Sequence, residues 1–253
     1  MSSIKDSLGD RIKSYENSYR ISLPIRMPII VRVDGKSFHQ YTKGLNKPVD
    51  ERLVNCMNET AKFLCQNIQG CQIAYVQSDE ISLLLNNFKT LETQSWHNNV
   101  LQKMVSVSAA MASAKFTSIS NSIFGATKLA MFDSRIFIIP KEEVCNYFIW
   151  RQQDATRNSV QMLARSLYSH KECIDKNNSD LQELCFQKGI NWNNCPVSQK
   201  RGRCIIKKQN VKSGLNPISG ITQKVFRSDW AVDNNIPIFS LDRKYIEQYL
   251  SGS

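Results

Sequence analysis

Residues 29–41, IIVRVDGKSFHQY, decide the fold together with residues 75–85, YVQSDEISLLL. In the first stretch a β-branched apolar run, typical of a strand, ends at Asp34. In the second stretch one strand-like run stops at Asp79 and another begins. Each motif alone is ordinary turn chemistry, because Asp-Gly and Ser-Asp pairs both favour turns. The order of elements between them favours a shared site.

A helix is predicted between the two stretches. From Asp50 to Ile68, apolar residues recur every three or four positions, which is the stripe of an amphipathic helix. Asp50 is the predicted N-cap and Gly70 the stop signal. A right-handed strand-helix-strand unit makes the first two strands parallel, and a third strand returning between them is antiparallel to both. The carboxylates of Asp34 and Asp79 then converge from opposite directions.

Two converging carboxylates predict a divalent metal site. They repel each other unless a positive charge lies between them. Mg²⁺, a hard cation with oxygen ligands, suits two aspartates together with substrate phosphates. The consecutive backbone N–H groups of residues 35–39 are expected to cradle phosphate oxygens, with Gly35 allowing close approach. The predicted ligand is a nucleoside triphosphate.

The following elements predict an α+β fold. Residues 96–116 and 141–168 have helical periodicity, and residues 136–139 form a strand closed by Pro140. The order strand-helix-strand-strand-helix-strand predicts a ferredoxin-like antiparallel sheet with helices on one face. The palm of many polymerases and the nucleotidyl cyclases share this architecture. We therefore expect a palm-like catalytic domain over residues 1–169.

The remaining residues, 170–253, are predicted to form a basic α/β extension that serves RNA binding or oligomer contacts. Residues 181–189 have a helical pattern, and residues 199–211, QKRGRCIIKKQNV, are predicted as a basic strand. Residues 225–230 are the predicted partner of that strand.

The charge balance predicts a polyanionic partner. With 33 Lys and Arg against 22 Asp and Glu, the net charge is +11. RNA explains this excess better than solubility alone, because phosphate neutralisation dominates nucleic-acid affinity. Two segments are candidates, the polar middle of the third helix and the basic run after residue 199, each with a solvated surface as the alternative. The predicted RNA-binding residues are Arg151, Gln152, Asp154, Arg157, Asn158, Lys200, Arg201 and Arg203.

The cysteine spacing and the hydropathy argue against two other classes, zinc ribbons or fingers and membrane-spanning proteins. The chain has eight cysteines without a C-x-x-C pair, and the spacing of those in the C-terminal third is wrong for a zinc ribbon or finger. No apolar run of about 18 residues exists, so no membrane span is predicted. Without a signal peptide, the thiols are predicted to be reduced in a soluble cytoplasmic protein, with the mitochondrion as the alternative compartment.

These motifs together resemble the histidine-tRNA guanylyltransferases and their guanylyltransferase-like relatives, which extend RNA in the 3′-to-5′ direction. The matching segments, in the family's order, are VRVDGKSFHQY, KPVDERL, IAYVQSDEISLLL, FDSRIFIIP, YFIWRQQDATRN and QKRGRCI. The resemblance implies that Asp34 and Asp79 are catalytic and bind two Mg²⁺ ions, with the Gly35 carbonyl as a further ligand. It also implies a homotetramer and, as substrates, tRNA at its 5′ end and acceptor stem, GTP or another nucleoside triphosphate, and ATP.

The resemblance further implies a set of nucleotide-binding residues. Lys47 and Asp50 match the family's nucleotide-pocket segment, and Lys103 matches a lysine that handles the activated 5′ end. The implied nucleotide-binding residues are Gly35, Lys36, Ser37, Phe38, His39, Lys47, Asp50, Ser78 and Lys103.

One departure indicates the branch of the family. True histidine-tRNA enzymes have a His-Ile-Asn-Asn-Leu-Tyr-Asn segment after the Arg-Gln-x-Asp match, whereas residues 155–161 read ATRNSVQ here. That segment is tied to selecting histidine tRNA. Its absence implies template-dependent repair or editing of tRNA 5′ ends. The alternatives are addition of one guanosine to histidine tRNA, a nucleotide-cyclase-type enzyme, and a non-catalytic RNA-binding module.

Overall fold

The computed structural model describes residues 7–88, 90, 92–125, 128–215 and 222–250. The strands are β1 (Ile29–Gly35), β2 (Cys71–Gln77), β3 (Glu80–Leu85), β4 (Phe132–Ile138), β5 (Arg203–Leu215) and β6 (Thr222–Asp233). The α-helices are α1 (Leu8–Ser18), α2 (Phe38–Tyr41), α3 (Glu51–Asn67), α4 (Leu101–Phe124), α5 (Val144–Leu167), α6 (His170–Cys173), α7 (Asn178–Gln187), α8 (Val197–Arg201) and α9 (Lys244–Glu247). Short 3-10 helices cover Trp96–Asn99, Lys141–Glu143 and Trp192–Asn194.

The strands form one sheet in the order β4-β1-β3-β2-β5-β6, in which every neighbouring pair is antiparallel. β3 therefore lies between β1 and β2, as the sequence predicts. The register places Asp34 of β1 opposite Glu80 of β3. The predicted α+β class is confirmed.

The predicted placement of helices on one face is wrong, because both faces of the sheet are covered. On one face, α3 and α4 pack against Val31 and Val33 of β1. On the other face, α5 and the C-terminal segment pack against Ile30 and Tyr75. Strands β2 and β3 are buried at nearly every position, which is typical of strands with two covered faces rather than one.

Helix α3 forms as predicted and fixes the spacing between the two aspartate motifs. The Asp50 carboxylate caps it by accepting the backbone N–H of Arg52 at 3.0 Å. Its apolar stripe, which includes Met57 and Leu64, is buried against the sheet. The helix ends at Asn67, before Gly70, whose φ of +85° favours glycine.

The C-terminal residues continue the same sheet. β5 pairs with β2, and β6 pairs with β5. The predicted pairing of residues 225–230 with the basic strand is confirmed, but β5 begins at Arg203 because residues 197–201 form α8 instead. Gly202 separates the two elements: at its φ of +78°, a Cβ would come within 2.7 Å of the Val76 carbonyl oxygen. The domain boundary at residues 169 and 170 stays a prediction. Among the described residues, no helix is both long and apolar enough to cross a bilayer.

Candidate active site

Asp34 and Asp79 lie at the same edge of the sheet. Asp34 is near the end of β1, and Asp79 lies in the tight turn between β2 and β3. The backbone N–H of Gly35 donates a hydrogen bond to the Asp79 carbonyl at 3.1 Å, which joins the two motifs directly. The structure therefore brings together the two residues that the strand order predicted to meet.

The carboxylates around Asp34 form a concentration of negative charge. Burial, followed by the neighbouring charges of Asp79, Glu80 and Asp133, raises the pKa of Asp34 to about 6, against a smaller opposing effect of Arg135. Arg135 lies 3.7 Å from the Asp34 carboxylate and 3.3 Å from that of Asp133. Burial also raises the pKa of Asp79. A cation bound here would relieve this unfavourable charge.

The oxygen atoms at this edge fit Mg²⁺. Two aspartate carboxylates and a backbone carbonyl are hard donors of the kind that Mg²⁺ takes, usually with phosphates and water completing the shell. Within the described residues, no group of three or more His, Cys, Asp or Glu side chains could hold a metal alone. Asp34, Asp79 and the Gly35 carbonyl would therefore supply only part of the metal ligands, and substrate phosphates and water would supply the others.

The loop after β1 is held rigidly beside the carboxylates. The Phe38 ring packs on Tyr41, Phe116 and Phe132 with ring centroids 5.0–5.3 Å away. A Cβ on Gly35 would overlap that ring, so only glycine fits there. Lys36, Ser37 and His39 are exposed beside this anchor, whereas Phe38 is buried and can offer only its backbone.

Two of the five expected phosphate-binding N–H groups are already used. Gly35 donates to the Asp79 carbonyl, and Lys36 donates to the Met131 carbonyl at 2.8 Å. The expectation of a five-residue cradle is therefore wrong for these two. The N–H groups of residues 37–39 make no hydrogen bond within the part of the chain that is described.

The other predicted nucleotide-binding residues lie in different surroundings. Ser78 and Lys47 are exposed, the former in the turn with Asp79. Asp50 is buried, and its contacts with Arg52, including an ion pair of 2.7 Å, hold the pKa of its carboxyl well below the usual range. This carboxylate caps α3 and is fully engaged. Lys103 is exposed on the first turn of α4, and no ion pair joins it to Asp34 or Asp79 among the described residues.

A buried ion pair next to the carboxylates was missed from the sequence. Arg151 donates from Nε to Oε1 of Glu80 at 2.8 Å and from Nη2 to Oε2 at 2.5 Å. Both side chains are less than a tenth exposed. Ser82 and Tyr147 extend the network, because the Ser82 hydroxyl bonds both Glu80 and Tyr147. The sequence does show an unusual number of polar residues in the otherwise apolar helix α5. It does not show that Arg151 pairs with Glu80, because the two residues are 71 positions apart.

Three predicted RNA-binding residues are not available to RNA. Arg151 is occupied by Glu80. Gln152 is buried, donating to the Pro237 carbonyl at 2.9 Å and accepting from the Phe239 N–H at 2.8 Å. Arg203 is also buried and bonds the Asn58 side chain. The prediction that these three residues bind RNA is therefore wrong, and their side chains instead stabilise the interior of the protein.

The remaining cations line an open groove. Arg157 of α5 and Lys200 and Arg201 of α8 border a cavity of about 580 Å³ together with Trp192. Lys200 lies over the Trp192 ring at 5.5 Å. Among the other two predicted residues, Asp154 pairs with Arg157 at 3.1 Å and accepts from Asn158 at 3.4 Å.

Comparison with known proteins identifies the family. The family model described as tRNAHis guanylyltransferase (Thg1) matches residues 9–140, more than half of the chain. The chain belongs to this family. Members of the Thg1 family are nucleotidyltransferases, so the predicted family and enzyme class are confirmed.

Relatives and solved structures agree with this assignment. A probable tRNA(His) guanylyltransferase of Drosophila melanogaster is 30% identical over 79% of this chain and 73% of its own length. A bacterial Thg1-like protein in complex with ATP is 49% identical, with a TM-score of 0.88 over 98% of this chain and all of the other. A bacterial Thg1-like protein in complex with GTP is 48% identical, with a TM-score of 0.81 over 97% and 99%.

Proposed function

We propose that this Thg1-family protein adds nucleotides in the 3′-to-5′ direction to the 5′ end of tRNA, using the opposite strand as template. The observation that carries the proposal is the meeting of Asp34 and Asp79 at one sheet edge. The two aspartates meet in a chain that shares 49% and 48% sequence identity, over almost its whole length, with Thg1-like proteins in complex with ATP and with GTP. A homotetramer and a cytoplasmic location are part of the proposal and follow from the predictions above.

Each group at the site has a proposed part in nucleotide addition. Asp34, Asp79 and the Gly35 carbonyl hold two Mg²⁺ ions, which when bound stabilise charge on the attacking and leaving oxygens. The N–H groups of residues 37–39, with exposed Lys36, hold the triphosphate of the incoming nucleotide. The 5′-monophosphate of the RNA accepts AMP from ATP, with release of pyrophosphate, or the RNA already carries a 5′-triphosphate. The 3′-hydroxyl of the incoming nucleotide then attacks the phosphorus bonded to the 5′ oxygen of the RNA, and AMP or pyrophosphate leaves.

Further side chains complete the proposed nucleotide site. Ser78 borders Asp79 in the turn, and Lys47 and Lys103 are exposed cations suited to phosphates. Because the protein forms no covalent bond with the substrate, positioning and charge stabilisation supply most of the rate.

Residues 155–161 support templating over anticodon reading. Ala155 and Val160 are buried in the packing of α5. Ser159 accepts a hydrogen bond from the Trp192 indole at 3.0 Å and donates to the Lys200 carbonyl at 3.1 Å. Ala155, Ser159 and Val160 therefore pack within the protein, whereas Arg157 of the same segment stays exposed at the groove. The alternative, addition of one guanosine to histidine tRNA, is favoured by the activity named for curated relatives such as the Drosophila protein.

Transfer of label from an α-labelled nucleoside triphosphate tests the proposal. The substrate is a tRNA transcript lacking its first nucleotide, supplied with ATP, Mg²⁺ and each of the four triphosphates in turn. We expect the label in full-length tRNA. Label in a small cyclic product would instead indicate a cyclase, and RNA binding without Mg²⁺-dependent turnover would indicate a non-catalytic binding module.

The groove cations are expected to make tRNA binding depend on salt. Replacing Arg157, Lys200 and Arg201 with Gln should reduce the slope of log K against log salt by roughly two to three, because each lost phosphate contact removes about 0.7–0.9 from the slope. Binding assays at several salt concentrations measure this. Lys62→Gln with Lys115→Gln, which removes two cations from α3 and α4 on the other face of the sheet, is the control. Equal slopes for the two sets of variants would place the RNA surface elsewhere.

A further inference from the structure

Lys128, which precedes β4, contacts the end of the loop that follows β1. Its ammonium group donates hydrogen bonds to the backbone carbonyls of Gln40 and Tyr41, at 3.0 and 2.5 Å. The same group lies 4.4 Å from the centre of the Tyr41 ring. Gln40 and Tyr41 are the last two residues of α2. One exposed side chain, 87 positions later in the sequence than Tyr41, therefore makes three contacts with this short helix.

Helix α2 is too short to satisfy its own last carbonyls. It has four residues, and the final carbonyls of an α-helix lack donors within the helix. A cation at this end supplies a donor and is favoured by the helix dipole. An ammonium group within about 6 Å of the centre of an aromatic ring is also attracted to that ring. Lys128 therefore supplies stabilisation that the helix cannot supply alone.

Residues 128–131 form a strap that is itself fixed to α4. The Ala130 N–H donates to Oγ1 of Thr117 at 3.0 Å, and that hydroxyl donates to the Ala130 carbonyl at 3.4 Å. At the other end of the strap, the Met131 carbonyl accepts the N–H of Lys36 at 2.8 Å. The strap therefore holds the loop after β1 at both of its ends.

The part of the loop between these two attachments is the part proposed to bind the triphosphate. The N–H groups of residues 37–39 make no hydrogen bond within the described part of the chain. Ser37 has a φ of +56°, a left-handed conformation that is uncommon outside glycine. Such a conformation persists only where the surrounding contacts maintain it. The strap and the packed Phe38 ring supply those contacts.

We propose that Lys128 is a positioning residue for the incoming nucleotide. It holds residues 37–39 in the arrangement that binds the triphosphate and does not touch the nucleotide, because its ammonium group is occupied by the carbonyls at the end of α2. The proposal rests on the proposed function, since it concerns the same triphosphate. A protein whose binding-competent state is only partly populated has its affinity lowered by that fraction. Loss of Lys128 should therefore weaken nucleotide binding and leave the catalytic carboxylates in place.

Lys128→Met tests this with steady-state kinetics on a truncated tRNA transcript that already carries a 5′-triphosphate, so that no activation by ATP is needed. We expect the KM for the incoming nucleotide to rise about tenfold and kcat to change less than about twofold, because the lost contact serves the bound substrate and the transition state equally. Lys128→Arg should keep KM within about threefold of the wild-type value, since a guanidinium group donates to the same carbonyls.

Equilibrium binding of GTP with Mg²⁺ to the RNA-free protein gives a readout that needs no activity on tRNA. The Kd of Lys128→Met should exceed that of the wild type by the same factor of about ten. If the wild type binds GTP but adds no nucleotide to RNA, the proposed function fails, and the ratio of the two Kd values still decides the role of Lys128. A wild type that does not bind GTP would overturn both.

Lys115→Met is the matched control, because it removes the same charge and a similar contact, with the Phe63 ring at 5.5 Å, from a position outside the strap. Its KM should change less than about twofold. Hydrogen exchange separates positioning from direct contact with phosphate. If Lys128 holds the loop, Lys128→Met should speed exchange of the Thr42 N–H, which donates to the Phe38 carbonyl at 2.8 Å. Unchanged KM and Kd in Lys128→Met, an equal rise in Lys115→Met, or unchanged exchange at Thr42 would overturn the proposal.

Discussion

Asp34→Asn is expected to lower the rate of nucleotide addition at least a hundredfold while raising the stability of the metal-free protein. The rate falls because one of two metal-binding carboxylates is lost. Stability rises because the folded-state pKa of Asp34, about 6, lies above its ordinary value of 3.8. The folded state therefore loses stability as pH rises through that interval. Asn cannot ionise and avoids this loss of stability, which amounts to about 1 kcal/mol for a side chain that is one third exposed.

Single-turnover kinetics and thermal unfolding without Mg²⁺, both at pH 7, measure the two effects. Asp79→Asn should behave in the same way, since burial also raises the pKa of that carboxyl. Asp133→Asn is the matched control, because Asp133 is an exposed carboxylate of the same cluster that is not a proposed ligand, and its rate should change less than about tenfold. Near-normal activity of Asp34→Asn with Mg²⁺ present would show that the metal assignment is wrong.

Arg151→Met is expected to destabilise the protein by about 3–5 kcal/mol, because the change leaves Glu80 as an unpaired buried charge. Glu80 is 5% exposed. For a chain of this size the unfolding midpoint should fall by roughly 10 °C. Adding Glu80→Gln removes that charge and should recover much of the loss. Denaturant unfolding of both variants measures the difference.

Arg157→Met provides the comparison for this pair. Arg157 binds Asp154 at 3.1 Å, as Arg151 does at 3.0 Å, but it is half exposed. Its removal should cost less than about 1 kcal/mol. If Arg151→Met were no more destabilising than Arg157→Met, the Glu80 pair would not contribute to holding the turn that carries Asp79.

The strand order around the site could be predicted because it depends on local pattern and handedness. The amphipathic period of α3 and the turn at Asp79 leave few arrangements for three strands. The covered second face was also visible in principle, since β2 and β3 are apolar at successive positions. The prediction assumed instead that a ferredoxin-like unit leaves one face open.

Contacts between residues that are far apart in the sequence could not be predicted from it. The Lys36 N–H is occupied by the carbonyl of Met131, which no periodicity near Lys36 indicates. The basic neighbours of Arg203 predict a surface cation, yet Arg203 is buried and bonds the Asn58 side chain, 145 residues earlier in the chain. Local charge density does not reveal which cations lie inside.

Swapping the template base is the most direct test of templated 3′-to-5′ addition. The comparison uses truncated tRNA transcripts that differ only in the nucleotide opposite the missing 5′ position, and a second pair that differ only in the anticodon. A pocket that tests the fixed width of a Watson–Crick pair accepts every correct match. The added nucleotide should therefore change with the template base and stay the same when the anticodon changes. Guanosine added whatever the template, with a strong preference for the histidine anticodon, would contradict the proposal.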